Sequence, residues 1–334
     1  MKTIKGLVLF SGGLDSQLVI KILQEQKIEV VALHFILPFG AGCCSDKKCV
    51  FNFTQVADVK LKFVDCTKGK NFEEYLEIIK DPHFGRGAGI NPCIDCRIFI
   101  LKKAKELLND FSCNFIATGE VLGERPMSQH LRALKLIEKE TGLENKILRP
   151  LSAKLLTETE AEKNKLVDRE KLYAISGRRR LPQMELAKKY GLKNYPTPAG
   201  GCLLCDKEFA KRFEQMLENF GDLDENDAEL LKLGRHFWMD LPRESASSQR
   251  LSASASETST VIVVGRNQEE NQKLEKLTKK NDVLIEPENF PGPTALVRGK
   301  KISGATIQET KKLITRYTKK TLILKEKSFK TLAK

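Results

Sequence analysis

No stretch of the chain approaches the ~20 consecutive apolar residues that a membrane helix requires. Two lysines and one short apolar run, Gly6-Leu7-Val8-Leu9-Phe10, open the sequence, too little for the core of a signal peptide. These absences argue against membrane and secreted classes, and the expected location is the cytoplasm. No long internal repeat runs through the chain, which sets repeat arrays aside. Acidic residues are scarce relative to basic ones, 44 against 57, so the net charge is +13. A basic cytoplasmic enzyme commonly meets a polyanion, and nucleic acid is the expected one, with lysine-rich solubility as the alternative. Nine cysteines in a reducing compartment do not read as a disulfide framework; they read as metal, cluster or redox ligands. With 334 residues there is room for two or three domains.

The stretch Ser11-Gly12-Gly13-Leu14-Asp15-Ser16 follows the apolar run and precedes a segment of helical period, Gln17–Leu23. Strand, glycine turn and helix N-terminus together make an anion cradle: free backbone N–H groups, the positive end of the helix dipole, and glycines that let the backbone approach. Ser11 and Ser16 add hydroxyl donors. Asp15 would repel a bare phosphate and fits a cradle that handles Mg²⁺ or pyrophosphate departing with it. No Gly-Lys-Ser/Thr follows, so this is not a Walker loop. It matches the PP-loop of the ATP pyrophosphatases, which cleave ATP to AMP and pyrophosphate while adenylating a substrate.

Strand patterns recur at Ile28–Phe35, Leu61–Val64 and Asn114–Gly119, with helical patterns at Phe72–Ile79 and Ile98–Leu108. The alternation predicts an α/β fold with a doubly wound parallel sheet over residues 1–154, whose ligands sit at the carboxyl ends of the strands, where SGGLDS, His34, Thr118 and Gly119 fall. Residues 155–233 read as a mainly helical segment, with helical patterns at Lys163–Lys171, Met184–Tyr190 and Glu208–Phe220. Residues 234–334 read as a small α/β domain, with a Ser/Ala-rich loop over 242–260.

Cys93-Ile94-Asp95-Cys96 and Cys202-Leu203-Leu204-Cys205 each follow a tight turn and are each expected to open a helix, where the dipole would lower thiol pKa values. Four outcomes compete for the pairs: a [4Fe–4S] cluster, a structural zinc ion, thiols that carry sulfur as a persulfide or exchange disulfides, and inert buried cysteines. Cys43, Cys44 and Cys49 form a third group, read as auxiliary or structural, while Cys66 and Cys113 read as core residues.

The first half resembles the tRNA thiouridylases. Gly42-Cys43-Cys44-Ser45, Phe63-Val64-Asp65 and Gly87–Cys96 resemble the MnmA type; Ala117–Gly123, Ser128-Gln129 and Leu148-Arg149-Pro150-Leu151 resemble the ThiI type. The resemblance implies Cys96 as a catalytic cysteine with Cys202 as its partner, Asp15 at the adenylation step, and ATP with Mg²⁺ bound by Ser11, Gly12, Gly13, Asp15, Ser16, His34, Thr118 and Gly119. A Cys-x-x-Cys with a distant cysteine resembles the iron–sulfur-dependent members, including the TtuA group, which implies a [4Fe–4S] cluster on Cys93, Cys96 and Cys202; Cys205 is a fourth thiol that could close the site. The last ~100 residues resemble the NFACT RNA-binding domain through Val264-Gly265-Arg266-Asn267-x-x-Glu270-Asn271 and Phe290-Pro291-Gly292-Pro293.

These resemblances imply an ATP-dependent tRNA uridine sulfurtransferase forming 2-thiouridine or 4-thiouridine. Arg178, Arg179, Arg180 and Arg266 are the candidate RNA contacts. Sulfide or a persulfide is the expected sulfur donor, no membrane is involved, and a homodimer is among the assemblies the sequence allows. Two other classes stay open: another PP-loop adenylating enzyme, such as a lysidine synthetase or ligase with structural zinc, and a non-catalytic adaptor that senses nucleotide and binds RNA.

Overall fold

The computed structural model describes residues 3–40, 59–193, 195, 201–240, 259–318 and 329–333. Cys43, Cys44, Cys49 and residues 242–258 of the Ser/Ala-rich segment lie outside them. The chain divides into two compact units, Met1–Asp206 and Lys207–Lys334. The segment expected over 155–233 is shared between them, and helices are its only regular elements among the described residues.

In the first unit, β1 (Lys5–Leu9), β2 (Glu29–Ile36), β3 (Lys60–Asp65), β4 (Phe115–Thr118) and β5 (Ile147–Leu148) form one parallel sheet in the order β3-β2-β1-β4-β5. The apolar run becomes the central strand, with Leu7 and Val8 fully buried. The chain moves from β1 to β2 on one side and adds β4 on the other, so the order reverses between β1 and β4. That switch point is where an open α/β sheet leaves a crevice for ligands. Helix α1 (Leu14–Glu25) leaves β1 directly and is held by Leu14, Leu18, Val19, Ile22 and Leu23, each at most 1 % exposed. Helices α2 (Gly69–Lys80), α3 (Cys93–Asp110) and α4 (Leu131–Thr141) complete the layers around the sheet.

Beyond β5 the regular elements are short. The helical reading of Lys163–Lys171 does not hold: α5 stops at Glu160–Lys163, Lys165 takes φ +56°, and a 3₁₀ turn follows at Arg169–Lys171. A left-handed lysine cannot continue an α-helix. Helix α6 (Leu181–Lys189) forms with Pro182 in its first turn, and its Ala187 is buried in the same core as α1.

The second unit holds α7 (Lys207–Phe220), α8 (Glu225–Leu230) and an antiparallel sheet in the order β10-β8-β9-β7-β6. The strands are β6 (Arg235–Asp240), β7 (Ser259–Val264), β8 (Val283–Pro287), β9 (Ala295–Gly299) and β10 (Phe329–Ala333). Helices α9 (Gln268–Lys276) and α10 (Gly304–Tyr317) complete the unit. Ile262, Val264, Ile285, Val297 and Ile314 make the core. Arg298 is buried between Asp282 and Asp227, joining β9 to α8 and to the turn before β8.

His236, on the edge strand β6, has both ring nitrogens shut off without a hydrogen bond. Burial, then Arg212 of α7 and Arg266, hold its pKa down at about 3. The unfolded chain would titrate it near 6.5. The unfolded state therefore binds the extra proton first, and stability is lost as pH falls from about 6.5 toward 3. Between pH 7 and pH 5 this unit should lose about 2 kcal/mol on that account. Urea titrations of the full chain, followed by the single tryptophan, Trp238, should show the loss. A His236→Gln chain should lack it; an equal loss in both would contradict the assignment.

Candidate functional site

The strand β1 delivers Ser11–Ser16 to the crevice. Gly12 takes φ +81°, a left-handed conformation open to glycine at little cost, and Gly13 is the N-cap of α1. No side chain caps this helix. The Ser16 hydroxyl donates to the Gly13 carbonyl at 2.8 Å and lies 3.4 Å from the Ser11 hydroxyl, while the Gln17 amide donates to the Gly12 carbonyl at 2.8 Å. The loop is thus shaped from behind by its own side chains, and the α1 N-terminus stays available to an anion.

His34 is buried at the end of β2, its Nδ1 2.8 Å from the Phe10 carbonyl and its ring edge-on to Phe63. It braces the strand that leads into the loop. Thr118 ends β4, and its hydroxyl donates to Glu120 at 3.1 Å. Gly119 is where β4 meets the loop: a Cβ there would lie 2.7 Å from the Ser16 nitrogen and 2.8 Å from the Asp15 carbonyl carbon. Only glycine permits that approach of two backbones.

Glu120 follows, 1 % exposed. Arg97 Nε lies 3.1 Å from one of its oxygens, and Arg149 Nε 3.0 Å from the other; Glu138 in turn pairs with Arg149. Burial would push this carboxyl up, but Arg97 and Arg149 more than offset it and hold it below its ordinary value. Arg97 sits next to Cys96 in the first turn of α3, so this ion pair fixes the first cysteine pair to the strand end beside the loop.

All six described cysteines are free thiols. Cys66 and Cys113 are buried, as core residues should be. Cys93 and Cys96 occupy the first turn of α3. Cys202 and Cys205 do not open an α-helix; they flank and end a 3₁₀ turn, Leu203–Cys205. Two backbone bonds bring that turn in: Ile90 N–H donates to the Leu204 carbonyl at 2.9 Å, and Leu203 N–H to the Phe39 carbonyl at 3.1 Å. One amide nitrogen, Asn91 Nδ2, then donates to Cys93 Sγ at 3.0 Å and to Cys205 Sγ at 2.9 Å. The Tyr75 hydroxyl lies 3.5 Å from Cys96 Sγ, and Cys202 Sγ lies 3.5 Å from the Phe39 carbonyl. Two pairs more than a hundred residues apart in sequence therefore meet.

The expected lowering of their pKa values by a helix dipole is not what the surroundings produce. Burial pushes the Cys96 and Cys205 thiols up, and Cys202 up to about 12, with the neighbouring cysteines adding to it. Such thiols are poor free nucleophiles. A cationic centre reverses the balance by stabilising the thiolates, so four half-buried soft donors with an amide donor among them fit a metal group. Among the described residues, no three His, Cys, Asp or Glu side chains are close enough to share one ion.

Arg125, exposed beyond β4, links the two halves. Its charge acts on Asp15 of the loop and on Cys96 and Cys205, lowering the pKa of each against the effect of burial. Arg178 and Arg179 are exposed, whereas Arg180 turns inward toward Asp15. In the second unit, Arg266 is paired with Glu270 through Nε at 2.9 Å, and Glu270 also accepts the Arg266 N–H at 2.8 Å and the Gly234 N–H at 3.2 Å. Asn267 caps α9 by accepting the Glu270 N–H. Much of the Gly265–Asn271 fingerprint thus holds this fold together. Asn91, Tyr75, Glu120 and Arg125 carried no signal as site residues in the sequence beyond adjacency to the motifs.

Residues 2–166 match the family model of the thiamine biosynthesis protein ThiI, and residues 255–328 match the NFACT protein RNA binding domain. The tRNA-specific 2-thiouridylase MnmA of Petrotoga mobilis is 29% identical over 144 residues, 36% of this chain and 36% of that protein. Its counterpart from Natranaerobius thermophilus is 32% identical over 139 residues, 34% of each. The chain thus spans about a third of the length of the curated relatives it matches. The solved U34-tRNA thiolase NcsA from Methanococcus maripaludis with its [4Fe-4S] cluster is 17% identical, covering 69% of this chain and 71% of that one at a TM-score of 0.35.

Gly119→Ala should force the loop away from β4. Overpacking of this kind costs roughly 1–3 kcal/mol. A melting temperature lowered by several degrees and at least a tenfold loss of ATP affinity by calorimetry are expected; unchanged values would show that the close approach is not needed.

Proposed function

We propose, from the match of residues 2–166 to the ThiI family model and of residues 255–328 to the NFACT RNA-binding domain, that this chain is an ATP-dependent tRNA uridine sulfurtransferase acting in the cytoplasm. The observation that carries the reading is a shared anchorage: the Ser11–Ser16 loop abuts Gly119 at the end of β4, and the next residue, Glu120, pairs with Arg97 of the helix that carries Cys93 and Cys96.

A uridine carbonyl oxygen is a poor leaving group until it is adenylated. With Mg·ATP as substrate, the uracil oxygen attacks the α-phosphorus. The bond from that phosphorus to the bridging oxygen breaks, and pyrophosphate leaves with the electron pair. The first-turn N–H groups of α1 would meet the departing charge, the Ser11 and Ser16 side chains hold the loop in shape behind them, and Asp15 would take the divalent ion. Sulfide then adds to the activated ring carbon; where the donor is a persulfide, a second thiol attacks its inner sulfur, releasing the outer sulfur as sulfide and leaving a disulfide. The carbon–oxygen bond breaks, and AMP leaves with the former uracil oxygen.

Cys93, Cys96 and Cys202 would hold a [4Fe–4S] cluster, with Cys205 beside them. When bound, such a cluster supplies iron able to take sulfide. Asn91 and Tyr75 orient the sulfurs. Arg178 and Arg179 are the exposed cations offered to RNA phosphates, together with the lysine-rich carboxyl-terminal unit.

The two half-reactions can be cut apart. Asp15→Ala should abolish tRNA-dependent pyrophosphate release while tRNA binding persists. Cys96→Ala and Cys202→Ala should each keep pyrophosphate release and incorporate no sulfur. An anaerobic preparation of the unaltered chain should contain iron and acid-labile sulfide. Zinc alone, or full sulfur incorporation by Asp15→Ala, would overturn the reading.

A further inference from the structure

Arg178, Arg179 and Arg180 look alike in sequence but separate in the folded chain. Arg180 is the N-cap of α6, and α6 packs in the core of α1, which turns the Arg180 side chain toward the first turn of α1. Its Nη2 lies 3.5 Å from Asp15 Oδ2 and its Nε 3.8 Å from Glu124 Oε1, with only 18 % of the side chain exposed. Gln183, three residues along the same helix, is fully buried, and its amide adjoins the Asp15 carboxylate without reaching hydrogen-bond geometry.

Four polar atoms are thereby shut off from solvent with no hydrogen-bond partner: Asp15 Oδ1, Arg180 Nε, and both amide atoms of Gln183. Buried polar atoms are nearly always paired, and a cluster of unpaired ones beside a phosphate-binding loop marks a place built for a charged ligand. The loop also sets an electrostatic problem. Asp15 and a triphosphate are both anions, and a cation must stand between them. A guanidinium, with its planar fork of five N–H donors, can pair with two anions at once.

We propose that Arg180, supported by Gln183, belongs to the nucleotide site and not to the RNA surface: it positions Asp15 and pairs with the β- and γ-phosphates of Mg·ATP and with the pyrophosphate that leaves. The inference rests on the PP-loop reading of Ser11–Ser16. AMP, which lacks those phosphates, should not sense Arg180.

Calorimetric titration of the full chain with Mg·ATP, inorganic pyrophosphate and AMP tests this, alongside tRNA binding by filter retention. Charge-assisted hydrogen bonds of this kind translate to roughly 10–100-fold in affinity. Arg180→Ala should weaken ATP and pyrophosphate by that factor, leave AMP and tRNA affinities within twofold, and be partly rescued by Arg180→Lys. Equal losses for ATP and AMP would mark a purely structural role and overturn the proposal, as would a loss confined to tRNA. If the unaltered chain binds neither ATP nor pyrophosphate, the PP-loop reading itself fails; if it does bind them and Arg180→Ala binds them equally well, only the Arg180 assignment fails.

Discussion

The buried carboxylate of Glu120 is the contact on which the rest of the first unit depends. It accepts the Thr118 hydroxyl from the end of β4 and faces Arg149 from beyond β5 and Arg97 from the first turn of α3. A lone buried carboxylate would be costly, and two guanidinium groups make it tolerable. In return, three elements that share no sequence neighbourhood are fixed to one another beside the phosphate loop. Gly119, immediately before it, lets the β4 end touch the loop backbone. The cysteine helix is thereby referenced to the same strand end as the Ser11–Ser16 loop, as the proposed two-stage transfer on one base would require.

The cysteines carry the opposite electrostatic lesson. Cys96 sits in the first turn of a helix, yet burial pushes its thiol up, as it does that of Cys202. Thiols kept in that state resist adventitious alkylation and oxidation and become good ligands when a cationic group is bound. Asn91, donating to Cys93 and Cys205 together, holds one sulfur from each pair in register. The site is prepared by packing and hydrogen bonds from elements whose own folding does not involve the cysteines.

The strand–glycine turn–helix form of the Ser11–Ser16 loop was legible in the sequence because it is local: strand, glycines, hydroxyls and helix lie within twenty residues. The parallel sheet was legible from its apolar strands, except β5, whose two residues are too short to show a period. The edge strands β6 and β10 escaped notice for a different reason. Arg235-His236-Phe237-Trp238 sets two polar residues before two aromatic ones and so lacks the alternation of a strand, and Phe329–Ala333 carries a lysine and follows a basic run. Lys163–Lys171 read as one helix because left-handed Lys165 has no composition signal. Arg180 read as part of a surface patch because its direction is set by the packing of α6 on α1, a tertiary fact. The pairing of the two Cys-x-x-Cys motifs was suggested by their likeness, but the amide that joins them could not be, since Asn91 is as common at turns as at ligand sites.

The most direct measurement of the central claim is mass analysis of tRNA nucleosides after anaerobic incubation of the full chain with tRNA, Mg·ATP and sulfide. The account predicts a new thiouridine, formed only when ATP is present and matched one to one by AMP and pyrophosphate, with its mass and fragmentation separating the 2-thio from the 4-thio isomer. ATP consumption with no sulfur-containing nucleoside, or a uridine pool left unchanged while another base is altered, would contradict it.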